Sequence, residues 1–194
     1  MVKRRLPAAE RRRQIAQAAL EILATRGAAA LKTAELARVV GTSDAALFRH
    51  FPDKAAILDE ATKLFEATLM KDFPPTGPEP LERLRAFFLQ RLALCEEHPH
   101  ILRLAFDDRI LSTLGDEGRR RVQGSVARSL EFVTENVRAC QARGLTPAVD
   151  PEVVVWMVTG VVRGAIARAT SPSGGTVDAE ALWRDVERVI APGR

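Results

Sequence analysis

The chain has 194 residues, of which 46% are hydrophobic and 28% charged, with a net charge of +4. This balance excludes wholesale disorder, and the length suits either one good-sized core or a small domain joined to a larger one. The charge is uneven: residues 1–54 carry a surplus of +6 and residues 55–194 a deficit of −2, so the N-terminal quarter suits a polyanion or else forms a basic solvated surface.

Nearly every periodic segment has the helical repeat and none alternates convincingly as a strand, so the sequence predicts an all-α fold. A first helix carries Ile15, Ala19, Ile22 and Leu23 on one stripe and ends at Gly27. A second spans 33–40, with Thr33 as its N-cap and Leu36, Ala37 and Val40 facing inward; Gly41 stops it. Ser43 caps a third helix from Asp44 to His50, anchored by Leu47 and Phe51. Asp53 caps a fourth, whose stripe of Ile57, Leu58, Ala61, Leu64, Phe65 and Leu69 runs toward Met70.

The stretch FPPTGPEP, 73–80, is too proline-rich to stay helical and forms a joint. Beyond it Leu81, Leu84, Phe88, Arg91, Leu92 and Cys95 trace a helix that stops near His98-Pro99, and a short one follows through Ile101, Leu102 and Ala105. A long helix from about Asp116 to Arg143 presents Val122, Val126, Leu130, Val133, Val137 and Cys140 on one face. Asp150-Pro151 opens an apolar helix that SPSGG, 171–175, closes, and a last helix, about 178–190, carries Leu182, Trp183, Val186, Val189 and Ile190. The apolar run Val153 to Val162 is too short to span a bilayer and meets Arg163 at once, so no membrane span is expected. The basic N-terminus has no apolar run behind it, unlike a secretory signal, and Cys95 and Cys140 do not make a disulfide scaffold, so a reducing cytoplasm is the expected compartment.

The tight turn at Gly41, between the second and third helices, is the construction of a helix-turn-helix unit. In such a unit the second helix enters the DNA major groove, where its N-terminal residues reach base edges and its flanks hold phosphate. Ala45 and Ala46 are small enough to approach thymine methyls, and Asp44 can accept from a cytosine amino group. Ser43, Arg49, His50 and Lys54 offer donors to phosphate, which set register rather than sequence. The residues also have other uses: Asp44 suits the first turn of any helix, Thr33 and Ser43 would cap a helix in any protein, and His50 can bond a carbonyl at a helix end.

The run TAELARVVGTSDAALFRHFPDKAAIL, 33–58, resembles the DNA-binding signature of the TetR family of bacterial transcriptional regulators. Thr33, Leu36, Ala37, Gly41, Ser43, Leu47, His50, Phe51, Lys54 and Leu58 stand at the matching places. The resemblance implies a nine-helix fold with a helix-turn-helix domain over 1–54, a linking helix from about 53, and a ligand-binding and dimerisation domain over 55–194. It also implies a nucleoid-associated homodimer on a palindromic DNA operator, contacted through Thr33, Thr42, Ser43, Asp44, Ala45, Ala46, Phe48, Arg49, His50 and Lys54. Three positions depart from the pattern: Phe48 replaces an aromatic hydroxyl in a chain without tyrosine, Thr42 replaces the usual valine, and Ala45 the common glycine. Operator preference is therefore not transferable from the family.

In that family the last two helices pair with those of a second copy. Here Trp156, Met157, Val161, Leu182, Trp183 and Val186 supply apolar area, and Gly160 and Gly164 allow close backbone approach; a core within the chain is the alternative use of the same residues. A small-molecule effector is implied, with no residue set that announces it. Cys95, His98 and His100 in CEEHPH are too few and too interrupted for a metal site, and neither metal nor cofactor is expected. Asp107-Asp108 and Arg119-Arg120-Arg121 read as solvated helix faces. With no paired carboxylates, nucleophile with its base or glycine-rich phosphate loop, the chain is not expected to be an enzyme. The expected function is a ligand-responsive repressor; the alternative is nucleoid occlusion with the same DNA-binding fold, because SDAALFRHFPDK and EEHPHILRLAF are similar to that branch too.

Overall fold

The computed structural model describes residues 7–98, 102–169, 171, 175 and 177–192, and none of these residues lies in a strand. They form α1 (Ala8–Arg26), α2 (Thr33–Val39), α3 (Asp44–Phe48), α4 (Lys54–Leu69), α5 (Pro80–Glu97), α6 (Asp108–Leu111), α7 (Asp116–Ala142), α8 (Pro151–Ala169) and α9 (Ala179–Ile190), with tighter helical turns at Ala28–Ala30 and Leu102–Phe106. The all-α expectation holds. His100, Ile101, the basic residues Lys3, Arg4 and Arg5, and Pro172 to Gly174 of the SPSGG segment lie outside the described residues.

The chain divides into two compact units, Met1–Leu69 with Arg103–Gly124, and Met70–Leu102 with Ser125–Arg194. Residue 54, where the sequence places the domain boundary, falls inside the first unit, because α4 packs along α1 and buries Ile57, Ala61 and Phe65 there. Around that pair α2 and α3 close the core with Leu36, Ala37, Leu47 and Phe51. At Gly118 the start of α7 comes close to α4: an added Cβ would lie 3.2 Å from Cγ2 of Thr62, tighter than most real contacts. In the second unit α5 packs against α8 and α9, and Phe88 meets Trp183 with ring centroids 5.3 Å apart.

Several local expectations need correction. Thr33 is the first residue of α2 rather than its cap: Lys32 takes the extended cap conformation, its carbonyl accepts from Leu36, and no side chain caps the helix. The third helix ends at Phe48, and residues 49 and 50 form a turn. Asp107 is no solvated face; its carboxylate caps α6 by accepting from the amides of Arg109 (3.0 Å) and Ile110 (3.4 Å). Arg121 is mostly buried, donating to Asp59 and to the Thr62 hydroxyl at 2.8 and 2.9 Å. Asp59 is held below the usual carboxylate range by Lys63 first, with Arg121 acting in the same direction against burial.

The buried face of α7 differs most from expectation. Val122, Val133, Val137 and Cys140 are inside, but Val126 is half-buried and Leu130 is 40% exposed, while Ser125, Ser129 and Asn136 are buried. The helix itself makes this possible: Ser129 donates to the carbonyl of Ser125 (3.1 Å) and Asn136 to that of Phe132 (2.8 Å), so part of their polarity is satisfied within α7.

Candidate nucleic-acid interface

The turn between α2 and α3 depends on Gly41, whose φ of 65° lies where side chains are strained. The Thr42 amide then donates to the carbonyl of Ala37 (2.9 Å), closing the turn. Ser43 caps α3 as expected, accepting from the Ala46 amide at 3.2 Å. Leu47 and Phe51 are fully buried, which fixes the helix by one side and leaves the other to solvent. That outer side presents Ser43, Asp44, Ala45 and Arg49, together with Phe48, 45% exposed. Phe48 is therefore outside the core, on the face where the family pattern places a hydroxyl.

The hold on α3 comes from α1. Arg12 donates to the carbonyl of His50 at 2.6 Å and to Glu60 of α4 at 3.0 Å, and its guanidinium lies 4.2 Å from the centre of the Phe51 ring. Arg11 donates to the carbonyl of Val40, at the end of α2, at 3.3 Å. A cation at a helix C-terminus meets carbonyls that lack partners within the helix, so the two arginines stabilise the ends of both helices of the motif. Nothing local in the sequence signals this, since Arg12 and His50 are 38 residues apart. The neighbouring ion pair is local: Arg38 first and Arg26 second hold the Glu35 carboxyl down at about 2.

Thr42, Ala46 and His50 are half-buried, and it is the His50 carbonyl that Arg12 engages. Lys54 is exposed at the start of α4, beside Asp53, whose carboxylate caps that helix through the Ala56 amide at 2.8 Å. Among the described residues, Arg49 and Lys54 make no ion pair or side-chain hydrogen bond, which leaves both cations available to an anion outside the chain.

Residues 15–61 match the family described as bacterial regulatory proteins, tetR family. The chain is also 31% identical over 163 residues to the nucleoid occlusion factor SlmA of Vibrio cholerae, covering 81% of this chain and 83% of that protein. The chain belongs to the TetR family. It is accordingly a DNA-binding regulator with α2 and α3 as its helix-turn-helix. Solved members share the fold at lower identity. The regulator PfmR of Thermus thermophilus is 23% identical, with a TM-score of 0.75 over 93% of this chain and 97% of that one. AibR, in complex with isovaleryl coenzyme A and operator DNA, is 20% identical with a TM-score of 0.77, over 93% and 98%.

In the second unit of this TetR-family chain, the residues expected at a dimer interface divide into three groups. Trp156, at 64% exposed, Met157, Gly160 and Gly164 lie outward on α8 with Val153, at helical spacing, and a Cβ added at either glycine would meet nothing within 4 Å. Val161 and Leu182 are half-buried. Trp183 and Val186 belong to the chain's own core: Trp183 is 1% exposed, packs at a tilt against Phe88 and donates to Glu187 at 3.0 Å, so it has no area left to give a partner.

The same unit holds a polar group that the sequence did not single out as a site. Arg91 is only 4% exposed, donates to Ser129 at 3.3 Å, and lies over the rings of Phe87 and Phe73 at 4.9 and 5.5 Å. Burial pulls its pKa down to about 10. Cys95, one turn on, donates to the Arg91 carbonyl at 3.0 Å, and burial pushes its thiol up to about 12, so it is protonated at neutral pH and a poor metal ligand.

Proposed function

We propose that the chain is a repressor that binds a palindromic operator as a homodimer and releases it when a small molecule occupies the second unit. The observation that carries the DNA half is the outward face of α3, with Ser43, Asp44, Ala45, Phe48 and Arg49 exposed while Arg12 holds the helix from the other side. The outward stripe of Val153, Trp156, Met157, Gly160 and Gly164 supports a dimer, because it combines exposed apolar area with room for a second backbone. Arg91 supports ligand response: a buried guanidinium between aromatic rings is costly, and costly polar groups are retained where they bind something. Release needs a ligand that prefers the state whose two recognition helices no longer match the half-sites.

Nucleoid occlusion is the second reading, favoured by the 31% identity to SlmA over 81% of the chain. Genome-wide mapping of bound sites separates the two. One or two sites beside the protein's own gene are the expected result for a repressor, whereas dozens spread along the chromosome would replace that reading with occlusion. A map with no enriched site would remove both.

A further inference from the structure

Phe48 is the last residue of α3 and is 45% exposed, while Leu47 and Phe51 beside it in sequence are fully buried. Among the described residues, none of the ring or cation–π contacts involves it. A lone apolar side chain on a protein surface is ordinary. This one stands on the helix that carries the DNA-binding face, and it has company: Ala45, exposed, is three residues earlier and so on the same side of the helix. Asp44 and Arg49, also exposed, border the pair. The outer face of α3 is thus a short apolar strip between an acceptor and a cation.

Two kinds of DNA surface can meet that strip. Phosphate offers only charged oxygens, and a ring without a hydroxyl gives them no donor while displacing their water. The major-groove edges of the bases are mostly donors and acceptors too, but thymine adds its C5 methyl group. We infer that the Phe48 ring packs on the 5-methyl group of one thymine in each operator half-site, with the small Ala45 leaving room for the approach, and so selects thymine over cytosine there. The contact requires α3 to enter the major groove, as in the proposed function, and is indifferent to whether the bound protein represses. Burying one methyl group against an apolar ring is worth roughly three- to fivefold in affinity. A phosphate contact acts on every sequence alike, whereas this one changes specificity and leaves the salt dependence as it is.

Fluorescence anisotropy with the full chain and the strongest mapped operator tests the contact, each thymine of a half-site being replaced in turn by deoxyuridine, which removes only the methyl group. The expected result is one thymine per half-site at which uracil weakens the wild type by about three- to fivefold. Phe48→Ala should bind the thymine and uracil operators alike, with the wild-type salt slope and, alanine being the best helix former, wild-type helicity. Phe48→Tyr keeps the ring and should keep the uracil penalty, whatever its hydroxyl adds. The scan of the wild type needs no variant, and a flat scan, or a half-site with no thymine, would overturn the contact. A sensitive thymine whose penalty persists in Phe48→Ala would overturn it as well, by assigning the methyl group to another side chain. In each of these cases the operator is still bound and α3 stands as the recognition helix. Absence of sequence-specific binding would remove that role and the contact together.

Discussion

In the first unit the fully buried described residues are apolar apart from Thr62, the mostly buried Arg121 is paired with Asp59, and Arg11 and Arg12 stand at the ends of helices they stabilise. In the second unit Arg91, Ser125, Ser129 and Asn136 lie inside, while Trp156, Met157, Val153 and Val189 lie outside. Burying polar groups and exposing apolar ones both cost stability, so a chain that does both in one unit is keeping them for another purpose. The first unit is built to hold a helix still against a polyanion. The second has an interior and an exterior that each suit an additional molecule.

The largest test of that contrast is Trp156→Asp. In a symmetric interface the change occurs twice, so dimerisation should weaken by roughly 4 kcal/mol, about a thousandfold. Sedimentation equilibrium would show monomer at concentrations where the wild type is dimeric, and an unchanged dimer would move the interface elsewhere.

The two buried or half-buried arginines should then respond to different degrees. Arg12→Ala removes a charged hydrogen bond to a helix end and should lower unfolding stability by about 1–3 kcal/mol. Arg91→Met replaces a desolvated charge by an apolar side chain and should cost less stability than Arg12→Ala. Denaturant titrations measure both, and equal losses from the two substitutions would erase the distinction between the units.

Phe48→Tyr probes the DNA face alone. If the ring edge faces phosphate, affinity for the mapped operator should tighten by about 0.5–3 kcal/mol at fixed salt, read by fluorescence anisotropy. No gain would leave Arg49 and Lys54 to hold the backbone without it.

The smallest effect is the pH dependence of Glu35. Its folded pKa, about 2, lies below the ordinary value of 4.5, so its contribution is complete above that ordinary value and disappears as pH falls toward 2. The stability difference between wild type and Glu35→Gln should shrink over that window. A difference that is constant from pH 6 to 2 would mean that Arg38 and Arg26 do not hold the carboxylate.

Much of the fold was legible because short-range physics decides it. The caps at Ser43 and Asp53, the stop at Gly41 and the buried pair Leu47 and Phe51 each follow from groups within four residues of one another. The face of α7 was misread because apolar spacing marks a stripe only when polar side chains stay outside, and Ser129 and Asn136 satisfy themselves on carbonyls of the same helix. Trp183 looked available to a partner because its aromatic contact, Phe88, is 95 residues away. Among site residues, those on α3 and its flanks were visible as a pattern. Arg12 and Arg91 were not, since their importance lies in what folding places beside them.

The chain has only two cysteines, Cys95 and Cys140, and both are buried thiols, Cys95 with its pKa pushed up to about 12. For a spectroscopist this is a nearly silent background. A single Ala45→Cys substitution puts a reactive thiol on the outer face of α3, where a spin label can be attached at neutral pH without first removing native residues. In a dimer each copy would carry one label, and the distance between the two labels would report the spacing of the recognition helices directly, with and without a candidate effector.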